Sequence, residues 1–289
     1  MPESLSRPLI DAEVAALSNI RGLRVFDLET VRFPGMPQYA GHFPFTVLTY
    51  RSPRGIQQAG DEAWLADGNE VNFNFTSEVI SCTVHTGAHV DAPAHATIGP
   101  DDHWHGGGNA ADHLGDFGPQ HGDAATLPVM IGRGILVDIA AHLGRDRLPG
   151  GYAISLDEFD GALRAQGLSI QSHDVVLVRT GQMSAWPDGD EMDKTFGAGI
   201  TLEVAEYCMS RGASALGSDS AAVEVMPSVR PGHPHPVHEL VLIELGRQIM
   251  ENLYLEDLHE AQVSEFVFFC APLKIRGATG AMIRPIAIA

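Results

Sequence analysis

Apolar and polar positions along the chain alternate between two periods. Residues 9–19, L-I-D-A-E-V-A-A-L-S-N, carry helical spacing and predict a short amphipathic helix ending near Gly22. Leu23 to Leu28 and Phe45 to Tyr50 read as strands, with Pro34-Gly35-Met36-Pro37 as a turn between them. Arg54 to Gly68 is polar, carries Trp64, and reads as a surface loop that could cover a site. Val71 to Val84 alternates as a strand or hairpin arm. Gly99 to Pro128 holds seven Gly and should be irregular, with at most a short helix. Met130 to Ile139 and Asp174 to Arg179 are unbroken apolar runs of the kind found in strands buried on both faces. Ser155 with Glu158 forms a capping box that opens a helix running to about Gly167. Thr201 to Gly212 is a helix closed by Gly, Ala215 to Gly217 a short strand, Val237 to Leu245 a helix, and Val267 to Ile275 a late strand. Ile249 to Leu253 is a short stretch that completes a turn. Strands alternate with helices, so the class is mixed α/β. No repeat and no long flexible linker divides the 289 residues, so one domain is expected.

The chemistry gathers in Val84 to Ala96, V-H-T-G-A-H-V-D-A-P-A-H-A, where His85, His89, Asp91 and His95 stand at fixed offsets around Gly87 and Pro93. Fully extended, residues 85 and 91 would lie roughly 20 Å apart, at about 3.3 Å per residue, and could not share an ion. A helix would align His85 with His89, but Gly87, Val90 and Pro93 make a poor helix, and Thr86 stands where a zincin carries Glu. The segment therefore reads as a bent loop at the end of a strand, folding His85, His89 and Asp91 around one centre. Seven of the 14 His fall between residues 85 and 121; His103, His105, His113 and His121 lie beside Gly106-Gly107-Gly108 and read as a solvated loop rather than ligands.

This block, H-T-G-A-H-V-D-A-P-A-H, resembles the HxGTHxDxPxH signature of the metal-dependent cyclase family, which includes kynurenine formamidase and isatin hydrolase. Ala88 stands where the family usually has Thr, which removes a hydroxyl but no ligand. The resemblance extends to Asp27-Leu28 with Pro34 to Pro37, to Arg179-Thr180-Gly181, to Gly217-Ser218-Asp219-Ser220, and to His238 with Glu251-Asn252-Leu253. It implies a compact β-rich core flanked by helices, the swivelling β/β/α fold, assembled as a homodimer or homotetramer. It also implies His95 as general acid/base and a second ion held by Asp91, His238 and Glu251. On residue type alone, Glu251 could be a surface acid, and His233 and His235 compete with His238.

Two imidazoles and a carboxylate suit Zn, Mn or Fe better than Mg or Ca, which prefer all-oxygen shells, and one or two ions of Zn²⁺ or Mn²⁺ are the expected cofactor. Three protein ligands leave positions open for water and substrate. The expected reaction is hydrolysis of a carbon–nitrogen amide bond, in an aryl formamide such as N-formylkynurenine or a small cyclic amide such as isatin. A lyase or cyclase acting through a stabilised enolate is the alternative, and a non-catalytic metal-binding protein a third reading. No G-x-S-x-G elbow and no phosphate loop compete with these. Trp64, Phe73, Trp104 and Trp186 supply either pocket lining or core, and aromatics more often belong to core.

The 37 acidic against 18 basic residues, net −19, exclude nucleic acid and anionic membrane as expected partners and leave a small-molecule substrate. Three scattered Cys without C-x-x-C spacing fit a reducing, cytoplasmic setting. The polar start M-P-E-S-L-S-R-P-L-I-D lacks a signal-peptide pattern, and no apolar run is long enough to span a bilayer.

Overall fold

In the computed structural model, which describes residues 9–18, 24–60 and 68–289, nine strands form one mixed sheet. Their order is Val25–Asp27, Ile286–Ile288, Glu265–Cys270, Met130–Asp138, Val175–Arg179, Ala215–Ser218, Gln248–Glu251, His89–Asp91 and Gly280–Met282. The four from Met130–Asp138 to Gln248–Glu251 are mutually parallel and the flanking strands antiparallel. The two apolar runs of the sequence are the sheet's centre, covered on both faces. Ile135, Val137, Val176, Val178, Leu216 and Ile249 pack on one side against the helices Leu156–Ala165 and Leu202–Ser210. Leu136, Val175, Leu177, Ala215, Met250 and Val90 pack on the other against Phe266, Phe268, Leu253 and Leu258.

The helix starts follow the sequence. Ser155 Oγ accepts from Glu158 N, and the Glu158 carboxylate accepts from Ser155 N, so the capping box is complete. Gly167 and Gly212 take positive φ just past their helices, where a side chain would be strained. Around Gly99 to Pro128 the chain makes two-residue strand pairs and one turn of helix, Ala110–His113.

Several elements differ from expectation. The first helix is Asp11–Ser18, but Val14 and Leu17 are exposed and Ala16 is its buried apolar contact, because apolar residues ring it instead of forming one stripe. The expected end near Gly22 lies outside the described residues. The helix Pro53–Ala59 takes up the start of the expected loop 54–68: Ser52 caps it, Pro53 occupies its first turn, and Gly60 ends it at φ 62°. Trp64 lies outside the described residues. Of Val71 to Val84 only Ser77–Ser81 is strand; it pairs with Thr46–Arg51 in a hairpin outside the main sheet. Leu48, Tyr50, Val79 and Ile80 are all exposed there, so alternation in this stretch marks an arm rather than core. The expected turn at Ile249 to Leu253 is instead the sheet strand Gln248–Glu251, and the late strand is Glu265–Cys270. The helix at 237–245 begins one residue early with Pro236–His238 and then widens: Leu245 N donates to Leu240 O five residues back, at 3.0 Å. Cys82, Cys208 and Cys270 are free thiols. Among the described residues, no helix is long and apolar enough to cross a membrane.

Candidate metal centre

The 85–95 block is a turn followed by a strand rather than a single bent loop. Gly87 takes φ +64°, a conformation that costs other residues energy, and reverses the chain between His85 and His89. His89–Asp91 then forms a strand, so His89 and Asp91 point to one face while Val90 enters the core on the other. Pro93–His95 follows as a single tight helical turn, with Ala94 N donating to Gly122 O.

The turn is held from the N-terminal segment. Arg32 Nε donates to Thr86 O at 3.1 Å and Nη2 to Ala88 O at 2.8 Å, while Glu29 pairs with the same guanidinium. A Cβ on residue 87 would lie 3.0 Å from Arg32 Nε and 3.2 Å from Glu29 Oε1. Burial pushes the Glu29 carboxyl up to about 7, partly offset by Arg32.

Sheet register brings the distant residues in. Glu251 lies opposite His89, and Gly280 lies opposite Asp91. Gly280 is required there, since a Cβ would sit 2.6 Å from His85 Cε1. Two groups of ligand atoms result, each within 4.8 Å of one another: His85, His89 and Asp91, and Asp91, His238 and Glu251. His85 Nδ1 is 3.1 Å and His89 Nε2 3.8 Å from Asp91 Oδ1. His238 Nε2 is 3.6 Å from Asp91 Oδ2 and 3.3 Å from Glu251 Oε1, and His89 Nε2 is 3.2 Å from Glu251 Oε2. His238 is buried beside Asp91 and Glu251, whereas the side chains of His233 and His235 are 41% and 43% exposed. His95 stands beside both groups and belongs to neither: its Nε2 is 3.9 Å from Asp91 Oδ1 and its ring 4.0 Å from that of His85.

The donor set fits a cation. Asp91 is 0% exposed, yet neither of its oxygens has a hydrogen-bond partner, and neither has His85 Nδ1. Orphaned buried groups of this kind are costly unless an ion completes them. Burial opposes charge on all these groups, but the clustered opposite charges prevail. Asp91 is held well below the usual carboxylate range by His95, His238, His85 and His89, and Glu251 is lowered by His238 and His89. His89 is raised by Glu251 and Asp91, and His238 is raised strongly by Asp91, Glu224 and Glu251. The site is thus built to concentrate positive charge around two carboxylates, a task a divalent ion performs in place of imidazole protons. His95 goes the other way: burial, with help from His85 and His238, pushes it down to about 4 against the pull of Asp91, so it is neutral near pH 7.

Each imidazole of the two groups is oriented from behind. Thr279 Oγ1 meets His85 Nε2 at 2.9 Å, Gly87 O meets His89 Nδ1 at 2.9 Å, and the Glu224 carboxylate meets His238 Nδ1. None of Thr279, Glu224, Glu29 or Arg32 is singled out by sequence reasoning. Only the P-G-M-P neighbourhood pointed to the N-terminal segment, which also brings Gln38, Tyr39 and His42 to the site.

A cavity of about 560 Å³ opens over the centre, walled by Tyr39, Trp186, Phe196, Met183, Met192 and Met226. Among the described residues its lining includes no Lys or Arg. Of the four aromatics weighed, Trp186 lines it, Trp104 is buried with its indole N–H on His121 O, and Phe73 is exposed. His105 Nδ1 donates to Ile243 O and His103 Nδ1 to the Asp101 carboxylate, so these His serve local structure.

A mixed α/β sheet carrying two carboxylate-sharing ligand groups, with a free imidazole beside them, defines a candidate dinuclear metal-site protein. Residues 5–225 match the cyclase family model, and the chain belongs to that family. A crystal structure described as a novel cyclase superposes with TM-score 0.82 at 25% identity, covering 98% of this chain and 92% of that one. Isatin hydrolase A from Ralstonia solanacearum gives TM-score 0.66 at 20% identity over 98% and 97% of the two chains. Isatin hydrolase A from Labrenzia aggregata, bound to benzyl benzoate, gives 0.65 at 19% over 95% and 96%. The latter two likenesses concern the fold. No curated protein sequence matches the chain.

Proposed function

We propose that this protein is a metal-dependent hydrolase that cleaves a carbon–nitrogen amide bond in a small, uncharged, planar substrate. The observation that carries this reading is Asp91, fully buried with both oxygens unpartnered, shared by two ligand groups and flanked by a neutral His95. His85, His89 and Asp91 would hold one ion, and Asp91, His238 and Glu251 a second. Zn²⁺ or Mn²⁺ bound there supplies polarisation of a carbonyl oxygen and acidification of water.

The chain's own residues do the rest. Tyr39, Phe196 and the methionines would give a flat ring an apolar wall to lie against and keep water from that face. His95, neutral and about a third exposed, accepts the proton of the water whose oxygen bonds to the carbonyl carbon. As the carbon–nitrogen bond breaks, the same imidazole returns that proton to the leaving nitrogen, giving a carboxylic acid and an amine. Away from the ligand groups the wall carries no Lys or Arg, so a carboxylate on the part of the substrate remote from the ions would lack a fixed partner, which favours a substrate without one. This favours an uncharged formanilide or lactam over an amino-acid formamide.

The test is a screen of Zn²⁺- or Mn²⁺-loaded protein against neutral aryl formamides, lactams and lactones, each beside a carboxylated analogue. Amide cleavage that dialysis against a chelator abolishes, and that is at least about tenfold weaker in kcat/KM for the carboxylated partner, is expected. Proton exchange at carbon without amide cleavage would instead select the enolate chemistry of a lyase or cyclase.

A further inference from the structure

We propose that Glu224 is a positioning residue for the second ion: it fixes the imidazole of His238 with Nε2 toward Asp91 and Glu251, and thereby sets the occupancy of that position alone. The inference rests on the reading of Asp91, His238 and Glu251 as ligands.

The three ligand imidazoles are oriented by three different acceptors, a hydroxyl for His85, a carbonyl for His89 and a carboxylate for His238. Only the last is an anion. An anionic acceptor keeps the proton on Nδ1, leaves the Nε2 lone pair free, and makes that nitrogen a stronger donor. Glu224 is 1% exposed and is also bonded by the backbone amides of Val237 at 2.8 Å and His238 at 3.3 Å, so it grips both the ring and the start of the helix that carries it.

The carboxylate is itself immobilised. Ile200 N donates to Val223 O at 3.0 Å, Val225 N to Ile200 O at 3.1 Å, and Met226 N to Gly197 O at 2.9 Å, which pins residue 224 between two backbone anchors. A Cβ at Gly199 would lie 2.4 Å from the Glu224 carbonyl carbon, so that position needs glycine for the strand to approach. Such rigid support is what a residue acting through another must have to hold a ligand to geometry. Two of the three ligands of the first position, His85 and His89, make no contact with Glu224, so the two positions should respond differently to its replacement.

A competing arrangement exists. Glu224, His235 and His238 also present ligand atoms within 4.8 Å of one another, and His235 Nδ1 lies 3.2 Å from Glu224 Oε1. An ion there would use His238 Nδ1 and leave its Nε2 protonated, turning that nitrogen away from service to Asp91 and Glu251. The half-exposed His235 makes the two arrangements separable.

The experiment is Zn²⁺ titration of the chelated, refilled full-length protein against a chromophoric chelator, with metal-to-protein ratios by mass spectrometry. It compares wild type, Glu224→Gln, Glu224→Leu, His235→Ala and His238→Ala. The expected result is two equivalents in wild type. Glu224→Leu weakens one of them about 10- to 100-fold and leaves the other within about twofold. Glu224→Gln, whose amide oxygen still accepts from Nδ1, falls between, which a merely structural role would not produce. Should the Leu variant not fold, Glu224→Gln against wild type decides alone. Equal weakening of both equivalents, or no weakening, overturns the proposal. So does loss of an equivalent in His235→Ala matching that in Glu224→Leu, which assigns the ion to the competing group. If His238→Ala keeps both equivalents, or wild type binds only one, the second-ion reading itself fails, a result distinct from failure at Glu224.

Discussion

Replacing His95 separates proton transfer from metal binding. Its imidazole belongs to neither ligand group, its side chain is 31% exposed, and its tight turn is held by backbone bonds from Ala94 and His95 themselves. Truncation to Ala should therefore leave both ion positions intact. Positioned proton transfer is worth about 10² to 10⁴ in rate, or about 2.7 to 5.4 kcal/mol at about 1.36 kcal/mol per decade. His95→Ala and His95→Gln should thus lower kcat by about that factor with metal content unchanged.

The pH profile sharpens the test. An ordinary imidazole titrates near 6.5, but burial and neighbouring imidazoles hold His95 near 4, and a nearby dication pushes it lower still. The active, neutral base is therefore present throughout the neutral range. Rate should not fall between pH 7 and about 5 through this group, and should decline only as pH drops through its lowered value. Steady-state rates across pH, with metal analysis on the same samples, check both points. Metal lost in step with activity would make His95 a ligand, and a kcat within about threefold of wild type would remove it from the chemistry.

Two further substitutions probe the scaffold. Gly87→Ala forces a side chain into φ +64° against Arg32 and Glu29, and should cost about 1–2 kcal/mol, a fall in Tm of about 2–8 °C by calorimetry, with weakened metal retention; an unchanged Tm would mean the turn tolerates a side chain. Arg179 is 2% exposed and bonds Glu256 at 2.7 and 2.9 Å and Asp138 at 3.0 Å, so Arg179→Met strands two buried acids and should cost about 3–5 kcal/mol in urea unfolding; a loss under 1 kcal/mol would show those acids find water or protons instead.

What the sequence made legible was local. The positive φ at Gly87, the capping box at Ser155 and the buried runs around Ile135 and Val176 each follow from a few neighbouring residues. The helix signals are equally local, but Ser52 and Pro53 stand just before the polar stretch expected to be loop and Gly60 within it. The exposed hairpin was harder, because Leu48 and Ile80 carry strand pattern without a core to enter. The motifs around Arg179 and Asp219 are separate in the chain. Their relation is spatial: Asp219 accepts from Thr180 N and Oγ1 and from Gly181 N, all within 2.8 Å, and so shapes the turn that leads to Gln182 and Trp186. Glu224 has no such pattern, since its partner is 14 residues away and the pairing with Ile200 that places residue 224 is itself long-range.

The spacing of His89 and Asp91 has a consequence for how tightly the centre is specified. Side chains alternate along a strand, so a slip of one residue in the pairing of 89–91 would aim Val90 at the ions and drive an imidazole and a carboxylate into the core around Met250 and Phe268. Three residues of strand cannot hold that register by their own hydrogen bonds. The neighbours hold it: Gly280 leaves room for His85 only opposite Asp91, Val90 is 0% exposed in the core, and Arg32 ties down the carbonyls on either side of Gly87. The ligand geometry is therefore a property of three chain segments far apart in sequence, and the short motif works only where all three converge.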